Sequence, residues 1–307
     1  MGGAVGNLVM LLFCLGVGAA LRISGRVPVD GHQTINAFII NVALPALALQ
    51  RIPQLQFSIG LIVPVSMPWL MFAAVAGVLW WVGGKSGLSR GTTGALILTA
   101  GLANTSFMGL PMIEAFYGQS YMAVGLLIDQ LGSYLVLSTL GLAIACRCSQ
   151  GSASLREIAG RVATFPPLLA VTLALAVAAS HAAYPPVIAT LLHHLAGTLA
   201  PLALVSVGLQ LRIGELRGKL RELGLGLGVK LVVAPLLLAL LYFGLIGADG
   251  PLTRVTLFES AMGPMIGGAI VATQYGLDPP LVTLMVGIGT LMAFLSLPIW
   301  WYVLQFA

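Results

Sequence analysis

Charged side chains are scarce in this 307-residue sequence: Asp, Glu, Lys and Arg together make up 7%, and only nine residues are acidic. An ordinary soluble domain carries about 25%. A soluble core of this size needs a polar shell, and too few charges are present to build one, which excludes water as the main solvent. Cysteine is also rare. Cys14, Cys146 and Cys148 lie inside or at the end of apolar runs, without the His or Cys spacing of a metal site, and read as reduced packing residues. The apolar start, Met1 to Ala20, lacks the basic segment of a secretory leader and reads as a first span. The net charge of +5 comes from short clusters between apolar stretches, with no continuous basic face, which argues against nucleic acid as a partner.

What the sequence has instead is hydrophobic length: 59% of residues are hydrophobic and the mean hydropathy is +1.03. A helix crossing hydrocarbon needs about 20 apolar residues. Ten such stretches are predicted, at 4–21, 33–50, 58–82, 91–117, 120–146, 161–180, 186–210, 223–246, 252–275 and 279–304. None alternates with period two, so a β-barrel is excluded and the fold class is an all-α membrane protein of ten transmembrane helices. With the N-terminus outside, the inner loops hold Arg22, Arg26, Lys85, Arg90, Arg147, Arg156, Arg161, Arg212, Arg217, Lys219 and Arg221, and the outer loops hold Arg51 and Arg254. Lys230 is assigned to the inner end of the eighth span. The bias predicts a multi-pass protein of the bacterial inner (plasma) membrane with both termini periplasmic. The pairs Trp80–Trp81 and Trp300–Trp301 fall at span ends, as interfacial anchors do.

The two halves are alike. Pro-Met-Ile occurs in GLPMIEAFYG at Pro111 and in MGPMIGGAIVATQYG at Pro264, 153 residues later; NVALPALALQRI at Pro45 is echoed by GTLAPLALVSVGLQLRI at Pro201, 156 residues later. Five spans per half is odd, so residues 1–150 and 151–307 are predicted to be inverted repeats, joined at CSQGSASLRE, residues 148–157, with scaffold and crossover subdomains each built from both.

The fourth and ninth spans are poor continuous helices. Gly101, Asn104, Thr105, Ser106, Gly109 and Pro111 interrupt one, and Ser260, Gly263, Pro264, Gly267 and Gly268 the other. Paired interruptions at membrane depth mark a binding site, here with the broken helices 4 and 9 crossing near the midplane so that free N–H groups meet an anion. The expected substrate-binding residues are Asn41, Asn104, Gly109, Pro111, Gly263, Pro264 and Met265. Acidic groups inside spans are costly, about 2.5 to 3.5 kcal/mol even on a lenient scale. Asp129 and Glu259, with Thr105, Ser106 and Gln130, are therefore the expected ion-coupling set, and Asn104, Asp129 and Glu259 would ligate Na⁺ or a carboxyl would carry H⁺. The bland reading makes Asp129 and Glu259 helix-to-helix hydrogen-bonding groups. Glu114 lies near an outer span end and can snorkel. His193 and His194, adjacent on a helix, point about 100° apart and suit interhelical hydrogen bonds better than a metal. Gln210 reads as nearer the inner interface. Gly224, Gly226 and Gly228 follow no strand and read as packing glycines.

NVALPAL, ANTSFMGLPMIEAFYG, LIDQLGSY, PLALVSVGLQL and ESAMGPMIGGAIVATQYGLDPPLV together resemble the auxin efflux carrier family, over essentially the whole chain. The resemblance implies two five-helix inverted repeats, a scaffold group, and a crossover group from the fourth, fifth, ninth and tenth spans. It also implies kinship with bile-acid sodium symporters, whose sodium-binding acidic residue would be matched by Glu259. The expected function is a permease, not an enzyme: a secondary active transporter of a small organic anion, such as an auxin-like aromatic acid or a dicarboxylate, working by alternating access and coupled to Na⁺ or H⁺. No cofactor is expected beyond a coupling Na⁺. The expected partners are the anion, the lipid bilayer and a second copy in a homodimer. An intramembrane enzyme would need a nucleophile and base or a metal pair at membrane depth, and no HExxH is present. A non-coupled channel or uniporter, or a membrane ligand sensor, is the alternative.

Overall fold

In an apolar surrounding, every backbone N–H and C=O must find a partner within the chain, and the sequence meets this demand with helices. The computed structural model describes residues 2–28, 30–55, 58–149, 160, 163–180, 183–210 and 218–306, the side chains of 2–11 excepted. Residues 150–157 of the expected linker, together with Arg156, Arg161, Arg212 and Arg217, lie outside them. Among the described residues the helical segments are α1 (Gly2–Ile23), α2 (Gly31–Gln54), α3 (Ile59–Ser86), α4 (Arg90–Ala100), α5 (Leu110–Tyr117), α6 (Gln119–Cys148), α7 (Pro166–Ser180), α8 (Pro186–Gln210), α9 (Leu220–Ile246), α10 (Pro251–Ser260), α11 (Ile266–Gln274) and α12 (Pro279–Leu304).

Six of these, α2, α3, α6, α8, α9 and α12, are long and apolar enough to cross a membrane. The ten expected stretches reduce to six: α1 counts only through Leu12–Ile23, where its side chains are described, and three others are short. The fourth and ninth are each split into two segments too short to span, α4 with α5 and α10 with α11. The sixth, α7, has 15 residues, about 22 Å at 1.5 Å per residue. Large apolar side chains such as Leu236, Leu240, Leu245, Leu295 and Ile299 are exposed, which suits a lipid surrounding and no aqueous one.

The chain divides into two compact units, and each draws on both halves of the sequence. One comprises residues 1–59, 106–126 and 160–211, the other 60–105, 127–159 and 212–307. In the first, α1 packs along α8 at close range. A Cβ on Gly18 would lie 2.1 Å from the Val205 carbonyl oxygen, and one on Gly208 2.2 Å from that of Leu15. In the same unit α7 and the first half of α8 pack on the second half of α2. In the second unit, α3 packs against α4, α6 and α10; α9 packs against α4, α10 and α12; and α11 lies across α4.

Described cationic residues gather at one end of the second unit. Lys85 lies over Trp81 and Arg147 over Trp80, at 4.2 and 5.5 Å from the ring centroids. Asp278, the N-cap of α12, pairs with Lys219 at 2.7 Å and accepts a hydrogen bond from Thr92 at 2.8 Å, tying the starts of α4, α9 and α12 together. Burial alone would raise the Asp278 carboxyl. The hydrogen bonds from Lys219, Thr92 and the Leu281 N–H and the Lys219 charge outweigh it and hold the group below its ordinary range.

Candidate functional site

The site begins where two helices stop. α4 ends at Ala100, residues 102–104 run extended, and a π-turn at Thr105–Gly109 leads into α5. α10 ends at Ser260, residues 261–265 form the break, and α11 starts at Ile266. The prolines do not kink these helices from within. Pro111 occupies the first turn of α5, where a missing N–H costs nothing, and Pro264 lies before the start of α11.

The two breaks pair with each other. Asn104 donates its backbone N–H to the Gly263 carbonyl at 2.9 Å, Met265 donates to Leu102 at 3.2 Å, and Ala103 and Pro264 face each other as an antiparallel bridge. The close approach requires small residues around it. A Cβ on Gly268 would sit 2.2 Å from the Leu98 carbonyl oxygen, and one on Gly289 of α12 would sit 2.7 Å from the Pro264 ring.

Buried polar groups surround this pairing. Asp129 and Gln130 belong to a π-helical stretch of α6, Ile128–Tyr134, and Lys230 to another in α9, Val229–Val233. Such insertions rotate the following side chains off the regular register and recur at functional sites. Asp129 accepts from the Thr105 hydroxyl at 2.6 Å and from the Gln130 amide at 2.5 Å. Lys230 and Glu259 are 0% exposed. The Lys230 ammonium donates to the Ser260 carbonyl at 2.8 Å and lies 3.9 Å from the Met71 sulfur. A cation at the carbonyl end of α10 opposes the negative end of that helix's dipole. Among the described residues neither carboxyl oxygen of Glu259 has a hydrogen-bond partner, and the group lies within electrostatic reach of Asp129 and Lys230.

Of the expected residues, Asn104, Thr105, Asp129, Gln130, Glu259, Gly263, Pro264 and Met265 all lie in the second unit, at or beside the paired breaks. Asn41, Ser106, Gly109 and Pro111 belong to the first unit. There Asn41 is exposed and donates to the Ala37 carbonyl of its own helix at 2.8 Å.

Lys230 overturns its sequence assignment: it is buried beside Ser260, not at the inner end of its span. Depth was the missed signal. Lys230 lies ten residues past Leu220, about 15 Å along the axis and beyond a lysine's reach to an interface. A second correction concerns the glycine triplet. A Cβ on Gly226 would clash with Met285 and Leu96, whereas Gly224 and Gly228 face open space, so only Gly226 is a packing glycine. Trp300 also does more than anchor, donating its ring N–H to the Leu231 carbonyl at 2.9 Å. His193 bonds Gln50 of α2 at 3.1 Å, an interhelical hydrogen bond as expected.

Comparison with known proteins bears on what this arrangement serves. An uncharacterised transporter of Methanothermobacter thermautotrophicus is 28% identical over 305 residues, covering 98% of this chain and 99% of the relative. Another, from Methanocaldococcus jannaschii, is 26% identical over 309 residues, covering 97% of each. A family model described as membrane transport protein matches residues 4–301. The chain therefore belongs to this auxin-efflux-carrier-like family of membrane transport proteins, and is a multi-pass membrane transporter.

Proposed function

We propose that the chain is a secondary active transporter of a small organic anion, working by alternating access in the inner membrane, with ten spans arranged as two inverted five-helix repeats. The repeat reading is supported by a recurring pattern of helix contacts. Numbered as spans, the first packs on the seventh and the sixth on the second, within one unit. Within the other, the third packs on the fourth, fifth and ninth, and the eighth on the ninth, tenth and fourth. Adding five to each index, and wrapping past ten, turns the first pair of the one unit into its second, and the partners of the third span in the other unit into those of the eighth. The paired chain breaks at 102–104 and 263–265 lie where such a two-fold would pass.

The observation that carries the functional reading is the burial of Lys230, Glu259 and Asp129 around those breaks. An ionised carboxylate left without partners in a low-dielectric interior costs several kcal/mol, so Glu259 is complete only with a proton or a cation. Transport coupled to H⁺ fits the surrounding bonds better than Na⁺. A proton needs one acceptor, which Glu259 supplies by itself, whereas a Na⁺ needs several oxygens converging on one point. When protonated, Lys230 also supplies positive charge, which favours an anionic solute at the helix ends.

Counterflow tests the carrier. Purified protein in liposomes preloaded with unlabelled malonate or indole-3-acetate should take up the labelled acid transiently above equilibrium. A channel would show only downhill flux, and a sensor would bind without flux.

A further inference from the structure

The first unit holds an open cavity of about 40 Å³ that shares no residue with the chain breaks. Two helices each give it an i, i+3, i+4 face: Leu47, Gln50 and Arg51 from α2, and His193, Ala196 and Gly197 from α8. Glu114 of α5 and Gln119 at the start of α6 complete its polar wall. These polar groups are linked in two short chains. Arg51 donates from one terminal nitrogen to the Gln119 carbonyl oxygen at 2.5 Å, and the Gln119 amide donates to Glu114 at 3.0 Å. Gln50 bonds His193 at 3.1 Å.

The arrangement leaves one cation underused. Among the described residues Arg51 has no ion-pair partner, and its Nε–H is buried without a hydrogen bond. A neutral amide stands between its guanidinium and the nearest carboxylate of the wall. Guanidinium presents five N–H donors in a fork that matches a carboxylate, and burying one of them unused is unfavourable. The cavity has room for a carboxylate head and not for a whole aromatic acid. Leu47, Met122 and Leu199 of its wall can cover an attached carbon chain. Arg51 and Gln119 lie at span ends, so the mouth lies at the membrane boundary, open to solutes from water.

We propose that this cavity is a binding site for small carboxylate anions, in which Arg51 takes the carboxylate and Gln119 and His193 flank it. The site is independent of the buried centre and of its coupling. Its occupant is either a water-soluble acid or a fatty acid at the membrane boundary, which share the same head group.

Thermal stabilisation of the purified full chain in detergent tests it, with sodium acetate, malonate and laurate titrated against sodium chloride at matched ionic strength. Acetate, malonate or laurate should raise the unfolding temperature of the native protein in a saturable way. Arg51→Gln should raise the half-saturating concentration at least tenfold, and Arg51→Lys, which keeps the charge but loses the fork, several-fold. If Arg51→Gln does not fold, Gln119→Leu serves as the second variant and should weaken binding in the same direction. Saturation with acetate or malonate assigns the site to a soluble acid; saturation with laurate alone assigns it to a fatty acid. No shift beyond chloride with any of the three, or a shift unchanged in the Arg51 and Gln119 variants, overturns the proposal.

Discussion

Lys230 and Glu259 present the sharpest energetic question at the scale of single residues. Both are fully buried, and neither is paired as an ion pair within bonding distance, yet each lies in the other's field. Removing one alone leaves the remaining charge uncompensated, which for buried charges costs about 3 to 5 kcal/mol. Lys230→Met should therefore destabilise the protein strongly, and Lys230→Met combined with Glu259→Gln should lose at least about 1 kcal/mol less than the sum of the two singles, measured by chemical denaturation. Additive singles would mean that the two groups do not sense each other. Asp278 makes the opposite kind of prediction, at an accessible span end. Its carboxyl is held below the ordinary range, so its contribution to stability is present above the unfolded value of about 3.9 and is lost as pH falls through the lower folded value. The unfolding-temperature gap between native protein and Asp278→Asn, corresponding to about 1 kcal/mol at neutral pH, should close as pH falls through the lowered folded value. At this scale the sequence was half legible. Asp129 and Glu259 stood out because a carboxylate inside a span has no other excuse. Lys230 did not, because charge counting places any lysine near a span end in the nearest loop.

At the scale of elements, the paired breaks were legible because proline and glycine act locally. Gly101 in one span and Gly263 and Pro264 in the other fall where the helix stops, whatever packs around it, whereas Gly109 and Pro111 lie inside the helical run that follows. Less legible were the π-helical stretches at Ile128–Tyr134 and Val229–Val233, whose one-residue insertions leave no compositional mark. The close crossings make a paired prediction. A Cβ at Gly289 would press on Pro264 at 2.7 Å and on Leu227 at 2.8 Å, so Gly289→Ala should cost about 1 to 3 kcal/mol and slow transport by displacing the break. Gly224 lies inside α9 with nothing within 4 Å, so Gly224→Ala should stabilise by about 0.5 to 1 kcal/mol and leave transport unchanged. Thermal unfolding of the two variants, with uptake measured alongside, decides whether tight packing at the breaks or helix propensity dominates.

For the whole molecule, the helical class was written in the hydropathy, and the membrane surround in the shortage of charge. The assembly of the helices into two units was not, because packing partners depend on small residues such as Gly18 and Gly208 whose meeting no local pattern announces. If transport is tied to the protonation of the buried centre, as proposed, the most direct test is gradient-driven uptake. Liposomes containing the native chain should accumulate labelled organic acid when a proton gradient is imposed in one orientation, without Na⁺. Glu259→Gln should abolish that accumulation while counterflow persists, because the neutral side chain permits exchange but cannot pick up or release a proton. Accumulation that survives in Glu259→Gln, or that follows a Na⁺ gradient and ignores a proton gradient, would contradict the account.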